Sequence, residues 1–243
     1  MPAVNDVGPG FSGRLRVALN MGNPILTSSV SSLDLPAGLA VDLSHALSKR
    51  LGAEPVFIEL PTAAACMREL TTGNADISFM AVDPARAEDV RFSSPYMEIA
   101  GAFAVRRNST IQTNIDVDQH AQQVVVGVGS AYDLFLSRYL KNADLHRIPL
   151  SEQVINEMLN GQYTAAAGIR RQLEDLILPD SDVRLLEENF MVIQQAIANS
   201  SQTTAINPEQ VESFLSWAIS SGYIQESLSK HGVTGVRIAQ PRS

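Results

Sequence analysis

One cysteine, Cys66, stands in the 243 residues of this chain. An intrachain disulfide is therefore excluded, and one thiol with four scattered histidines supplies no zinc-ligand spacing. Cys66 lies in TAAACMREL, a run of helical character, and reads as a small buried hydrophobe rather than a nucleophile. Positive charge is also short: 18 Lys and Arg against 26 Asp and Glu leave a net charge of −8. A chain this acidic is not an obvious nucleic-acid binder, which needs a basic patch, although the sum leaves room for a local basic site. No apolar run approaches the ~20 residues that span a bilayer. The sequence has no GxSxG, no HExxH, no Cys–His pairing pattern and no kinase set. Glu59, Glu98 and Asp133 are able to do acid–base work, but no spacing singles one out. The expectation is a non-enzymatic protein without metal or cofactor.

What is present is an ordinary globular balance, 45% hydrophobic and 18% charged. The length suits one large domain or two smaller ones. Residues 1–13, with Pro2, Gly8, Pro9, Gly10 and Gly13, read as a flexible start without the basic and apolar regions of a signal peptide. That predicts a cytoplasmic protein, or a periplasmic one whose leader has been removed.

The chain then alternates strand and helix patterns. Strands are expected at 15–19, 55–60 and 75–82, with helices between at 38–51, ended by Gly52, and at 62–70, capped by Thr62. After a strand at 99–105 the pattern restarts. A wholly apolar strand at 124–128 leads through Gly129 and Ser130 into a helix, with Ser130 and Asp133 as a capping box. A helix capped by Ser151, a strand at 163–167, a helix at 170–178 stopped by Pro179 and a weak strand at 183–186 follow. An apolar run at 190–198 precedes a helix capped by Asn207 and a last helix at 223–231. The closing helices have no strands of their own, so they are expected to return to the first lobe. The fold class is α/β with two lobes: 1–106 plus 193–243, and 107–192. The chain would cross near 105–110 and 188–195. A ligand in such a protein sits between lobes, at strand carboxyl ends and helix N-termini.

Candidate binding residues follow from that placement. Asp83-Pro84-Ala85-Arg86 comes directly after a strand, with Asp83 as N-cap and Pro84 at the first helical position. An arginine in a first turn opposes the helix dipole, which suits an external carboxylate; pairing with Glu88 or Asp89 in solvent is the alternative. Gly127-Val128-Gly129-Ser130 offers backbone N–H groups and a hydroxyl to a carboxylate, or is simply a tight capped turn. Asn20, Met21 and Asn23 end the first strand and read as cleft or turn residues. Gln194 and Gln195 interrupt an apolar strand, where a buried amide must find partners. Tyr132 and Phe79 suit an apolar ligand body or the core.

Five stretches together resemble the bacterial extracellular solute-binding proteins of family 3, the amino-acid receptors of ABC importers. They are GRLRVAL (13–19), GLAVDLSHALSKRLGAEPVFIEL (38–60), GNADISFMAVDPARAEDVRFSSPYM (73–97), VVVGVGSAY (124–132) and FLSWAISSGYIQESLSKHGV (214–233). The resemblance implies a periplasmic-binding-protein fold of the type with two crossover segments, closing by hinge motion around its ligand. It implies that Arg86 grips an α-carboxylate, helped by groups near Ser78, Ala81 and Ser130, in a pocket that takes in Asn20, Asn23, Phe79, Met80, Gly129, Ala131, Tyr132 and Gln195. It implies a small carboxylate as ligand, an ABC-transporter membrane component as partner, and a monomer. Departures are Asp83 for the family's threonine, Ala81 for a hydroxyl-bearing residue, and GQYTAAAGI (161–169), which lacks both aspartates of the family's second-lobe motif. The resemblance leaves two alternatives: a cyclohexadienyl-dehydratase-like enzyme on the same fold, or a cytoplasmic ligand sensor.

Overall fold

A computed structural model describes residues 13–30, 35–161, 163–178, 181–203 and 206–240. Pro2, Gly8, Pro9, Gly10 and the helix stop assigned to Pro179 lie outside the described residues. The elements in chain order are β1 (Arg14–Asn20), β2 (Ser28–Val30), β3 (Leu35–Ala37), α1 (Leu39–Leu51), β4 (Glu54–Leu60), α2 (Ala63–Thr71), β5 (Ile77–Ala81), β6 (Val90–Phe92) and β7 (Met97–Arg106). Then come α3 (Asn114–Val117), β8 (Gln123–Gly127), α4 (Ala131–Tyr139), β9 (Asp144–Ile148), α5 (Val154–Asn160), β10 (Ala165–Ile169), α6 (Arg170–Leu176), β11 (Val183–Ser200), α7 (Pro208–Ser220), α8 (Tyr223–Lys230) and β12 (Val236–Ile238). The chain divides into two compact units: residues up to Glu98 with those from Gln194 on, and Ile99–Ile193.

In the first unit β1 lies parallel to β4 and to β5, with Val17 opposite Ile77 and Ala18 opposite Ser78. The end of β11 runs antiparallel to β5 and to β6. The helix α1 forms because Leu39, Leu43, Leu47 and Leu51 recur on one face, and all four are buried. Burying one such leucine contributes roughly 1.5–3 kcal/mol. Gly52 ends the helix in the left-handed region at φ 66°, which a residue with a Cβ adopts only under strain. Thr62 caps α2 by accepting from Ala65 N, and Cys66 is fully buried against Ala18, Leu70 and Met80. Burial pushes the Cys66 thiol up to about 12, so it is an inert part of the core.

The closing helices belong to this unit. Asn207 and Gln210 form a full capping box on α7. One carboxylate then ties α8 to α1. Asp42 accepts from Ser227 Oγ at 2.8 Å and Lys230 Nζ at 3.0 Å, and meets His231 Nε2 at 2.9 Å. Burial pushes the Asp42 carboxyl up, but the hydrogen bonds from Ser227, Lys230 and His231 outweigh it and hold it below its ordinary value of 3.8. A depressed folded-state value gives stability that is present above 3.8 and lost as pH falls through the lower folded value. Asp42→Asn should therefore destabilise the protein by about 1 kcal/mol at neutral pH. The gap to wild type should close at pH values well below 3.8. Urea unfolding at a series of pH values measures this, and a pH-independent gap would contradict it.

Within the second unit the strands run in the order β7–β10–β8–β9. β10 is antiparallel to β7 and parallel to β8, and β8 is parallel to β9. Its core gathers Ala102, Val125, Met158, Ala166, Leu173 and Val183. The run of alanines in β10 is buried throughout, which lets neighbouring elements approach closely.

Several expectations need correction. No α-helix follows Asp83; residues 84–89 are turns. Ser151 makes no side-chain cap, and a 3-10 turn at Ser151–Gln153 precedes α5. The strands expected at 183–186 and 190–198 are one strand of 18 residues. The strand of β10 starts two residues later than its pattern suggested, at Ala165. The C-terminal region also carries a short strand, β12, and Ala239 N donates to Tyr96 O beside it.

Candidate functional site

The first unit presents its candidate residues at the carboxyl ends of β1 and β5. Asp83 Oδ1 accepts from Ala85 N at 2.9 Å, and Arg86 N and Ala87 N both donate to Asp83 O. The cap forms as the sequence dictates, yet Pro84–Asp89 stays a pair of turns, so no helix dipole acts on Arg86 there. What fixes Arg86 instead is burial. The side chain is 4% exposed, and Nη1 donates to Ala81 O at 3.0 Å. The reading of Arg86 as a solvated surface arginine is therefore wrong. Burial lowers the pKa of its guanidinium, while Asp83 and then Cys66 oppose that shift. A desolvated guanidinium with a fixed fork of five donors is a strong site for a carboxylate.

The neighbouring residues divide by face. Ser78 and Met80 point to the core: the Ser78 hydroxyl donates to Ala18 O at 2.7 Å, and Met80 packs with Cys66. Phe79 lies on the opposite face with its ring edge-on to Tyr96 at 6.3 Å. Ala81 stands opposite Gln195 in the antiparallel pair, so their side chains share that face. Gln195 is 2% exposed, and its Oε1 has no hydrogen-bond partner among the described residues. Gln194 is exposed, with its carbonyl accepting from Val82 N. Asn20 and Asn23 are engaged in turn chemistry: their Oδ1 atoms accept from Gly22 N and Ile25 N.

The second unit presents the turn after β8. Gly129 takes φ 68°, the left-handed region, where glycine is at ease. Ser130 caps α4: its Oγ accepts from Asp133 N at 3.1 Å and donates to Gly127 O at 2.7 Å. Asp133 does not complete the capping box on Ser130. Its Oδ2 accepts from Gly129 N at 2.8 Å instead. Arg147 Nε and Ser137 Oγ both donate to Oδ1. Hence the Gly129 N–H and the Ser130 hydroxyl have internal partners. The amides of Ala131 and Tyr132, at the first two helical positions, have no carbonyl four residues back within the helix. Tyr132 is buried, and burial raises the pKa of its hydroxyl against hydrogen bonds to Ser151 and Ser130.

Tyr96 escaped the sequence reading. It is fully buried, its hydroxyl has no partner among the described residues, and burial drives its pKa up. FSSPY reads as the exit of a strand, and nothing in that string shows where the ring points. Among the described residues no group of three or more His, Cys, Asp or Glu is placed to hold a metal ion. None of their helices is long and apolar enough to cross a membrane.

Two α/β units, one with a buried arginine beyond a strand end and one with a serine-capped helix N-terminus, are the build of a solute-binding protein. The chain belongs to the bacterial extracellular solute-binding proteins, family 3, whose model matches residues 15–232. Solved structures agree in fold. A mutant of ArgBP from T. maritima is 22% identical over 90% of this chain and 95% of that one, with a TM-score of 0.76. A binding component of an ABC transporter from Wolinella succinogenes DSM 1740, complexed with lysine, is 19% identical over 90% and 96%, with a TM-score of 0.76. The ancestral amino acid-binding protein AncCDT-1, a precursor of cyclohexadienyl dehydratase, is 21% identical over 90% and 95%, with a TM-score of 0.74. No curated protein matches the sequence. The likeness of these structures is to the periplasmic-binding-protein fold, the fold that the family resemblance implied.

Proposed function

We propose that this solute-binding protein captures a small carboxylate, an amino acid or a related organic acid, and that Arg86 is its anchor. The observation that carries the reading is the buried guanidinium beyond the end of β5, held in place through Ala81 O. The planar guanidinium matches the two oxygens of a carboxylate, and burial strengthens a charge-assisted hydrogen bond. The amides of Ala131 and Tyr132 offer donors to an anion, and the α4 dipole favours negative charge there. Gln195 and Tyr96 offer neutral partners to the rest of the ligand, beside Phe79 and Ala81. In this reading Ser78 and Met80 support the site from the core, and Asn20 and Asn23 shape its edge.

The protein acts in this reading as a receptor and not as an enzyme. The buried carboxylates support that: Asp76 is bound by Arg16; Asp133 is bound by Arg147; Asp83 caps its turn. A general acid has to reach the leaving group of a substrate, and these three are committed to internal partners. The working form is a monomer outside the cytoplasm that delivers its ligand to the membrane component of an ABC transporter. Cell fractionation tests the compartment.

Arginine and lysine are the first ligands to try, given the ligands of ArgBP and of the Wolinella structure. The residues 165–169, AAAGI, place no carboxylate on β10 for an α-ammonium. Their 2-oxo and 2-hydroxy counterparts therefore belong in the same titration. Arg86→Gln should weaken the natural ligand at least about tenfold by calorimetry, the loss of one hydrogen bond to a charged group. Equal affinity in the variant would remove Arg86 from the site. Mass spectrometry of whatever the natively purified protein releases identifies the ligand.

A further inference from the structure

The second unit holds a cavity that the proposed function does not use. It has a volume of roughly 440 Å³ and is lined by residues including Arg106, Ile111, Gln122, Tyr163 and Thr164. Volumes of this order accommodate a small organic molecule. Its place in the fold is set by strand direction. β8 and β10 are parallel, and Gln122 and Thr164 stand immediately before their first residues. β7 is antiparallel to β10, and Arg106 is its last residue. All three therefore meet at the amino edge of the parallel strands. The Gly129–Ser130 turn follows the opposite end of β8. Five strand residues separate the two ends, roughly 16 Å.

Three features of the cavity are chemical. Gln122 Oε1 is buried and has no hydrogen-bond partner among the described residues. A buried acceptor left unmet costs about 1–3 kcal/mol, so a donor at that place is stabilising. Arg106 uses Nη2 to donate to Met158 O and Leu159 O at the end of α5, at 2.9 and 2.8 Å. Those bonds hold the guanidinium still, and no described partner meets its Nε or Nη1. Tyr163 supplies an aromatic wall, backed by the His146 ring at 5.1 Å. Gly161 makes room for that wall, since a Cβ there would stand 3.1 Å from the Tyr163 ring. The backbone beside Gln122 is strained as well: Ala121 takes φ 68°, the left-handed region, at a cost of about 1–3 kcal/mol. Gln122 itself is held by its backbone, which donates to Gln119 O and accepts from Asp144 N.

We propose that this cavity is a second binding site, for a small organic anion that also carries a hydroxyl or N–H donor. Arg106 meets the anion, Gln122 accepts the donor, and Tyr163 packs on the body between them. The site lies wholly in the second unit, so a ligand there adds to the stability of that unit and does not compete for Arg86.

Three aromatic probes separate the features. 4-Hydroxybenzoate carries both anion and donor, benzoate lacks the donor, and 4-hydroxybenzamide lacks the anion. The readout is the side-chain amide of Gln122 and the ring of Tyr163 by NMR titration of the whole chain. 4-Hydroxybenzoate should shift both signals saturably, and each of the other probes should bind at least about tenfold more weakly. Gln122→Met keeps the volume and removes the acceptor, so it should erase the preference for 4-hydroxybenzoate over benzoate. Arg106→Gln should abolish binding. Because that change also removes the cap on α5, its fold is checked by thermal unfolding, and Gln122→Met is the deciding variant. If neither signal moves with 4-hydroxybenzoate, or if Gln122→Met retains the preference, the cavity is a water-filled packing defect and the proposal fails.

Discussion

Gly127→Ala should destabilise the protein by about 1–3 kcal/mol, the range for overpacking a tight site. A Cβ at Gly127 would stand 2.1 Å from Ser151 Oγ and 3.0 Å from both Cα and Cβ of Ser151. The hydroxyl alone could rotate away. The Cα and Cβ cannot, because Ser151 opens the 3-10 turn ahead of α5. Rotation would also disturb the hydrogen bond between Ser151 and Tyr132. A gain opposes this: replacing glycine by alanine restrains the unfolded chain and stabilises by about 0.4–1 kcal/mol. The clash is the larger effect. It also reaches the candidate site, because Gly127 O accepts from Ser130 Oγ and Ser130 N. A shift of that carbonyl moves the cap of α4. Ser151→Gly in the same chain removes Oγ and Cβ and leaves only Cα in close contact, so a double-mutant cycle should show a favourable coupling of about 1–2 kcal/mol. Urea unfolding measures both, and a Gly127→Ala protein within about 0.5 kcal/mol of wild type would contradict the clash.

The fold was legible where periodicity and caps agree. Leu39, Leu43, Leu47 and Leu51 with Gly52, Thr62 with Ala65, and Asn207 with Pro208 each specify an element locally, and each formed. What the sequence concealed is what depends on partners. β6, β9 and β12 are short and have no pattern of their own; β9 exists because its backbone pairs with β8. The polar stretch Glu187-Glu188-Asn189 reads as a break, yet it continues an extended strand. The turns after Asp83 show the converse. Cap and proline are both present, but the chain returns to β6 at Val90, too soon for a helix to propagate.

The candidate site was legible as a set of positions more than as a set of contacts. Strand ends placed Arg86 and Ser130, because a strand followed by a cap residue is a local signal. Whether a side chain turns to the core or to the site depends on strand phase, which a fully apolar strand does not reveal. Ile77–Ala81 is buried at every position, so Ser78 and Met80 could not be told from Phe79 and Ala81 by pattern. Tyr96 depends on tertiary placement and leaves no mark in the spacing; the tie from Asp133 to Gly129 is local, but the Ser130–Asp133 spacing pointed to a capping box and not to Gly129.

Asp133→Ala should cost about 2–3 kcal/mol and should weaken ligand binding, although Asp133 is not one of the proposed contacts. The carboxylate is 3% exposed and accepts from Gly129 N at 2.8 Å. It also accepts from Arg147 Nε at 2.9 Å and holds Ser137. Breaking a fully buried ion pair costs about 3–5 kcal/mol, because the remaining charge is stranded. Here the Arg147 side chain is 43% exposed and water can take it up, so the lower figure applies. What water cannot replace is the geometry of the turn. Gly129 stands in the left-handed region, and its N–H is tied to the helix that follows by this carboxylate. Without that tie, the amides of Ala131 and Tyr132 lose their fixed direction. Asp133→Asn separates the two effects. It keeps one acceptor for Gly129 N but not the charge for Arg147. Asparagine should recover most of the ligand affinity and only part of the stability, whereas a purely structural aspartate would lose or recover both together. Parallel unfolding and calorimetry on the two variants measure the split, and an Asn variant as weak in binding as the Ala variant would exclude a positioning role for Asp133.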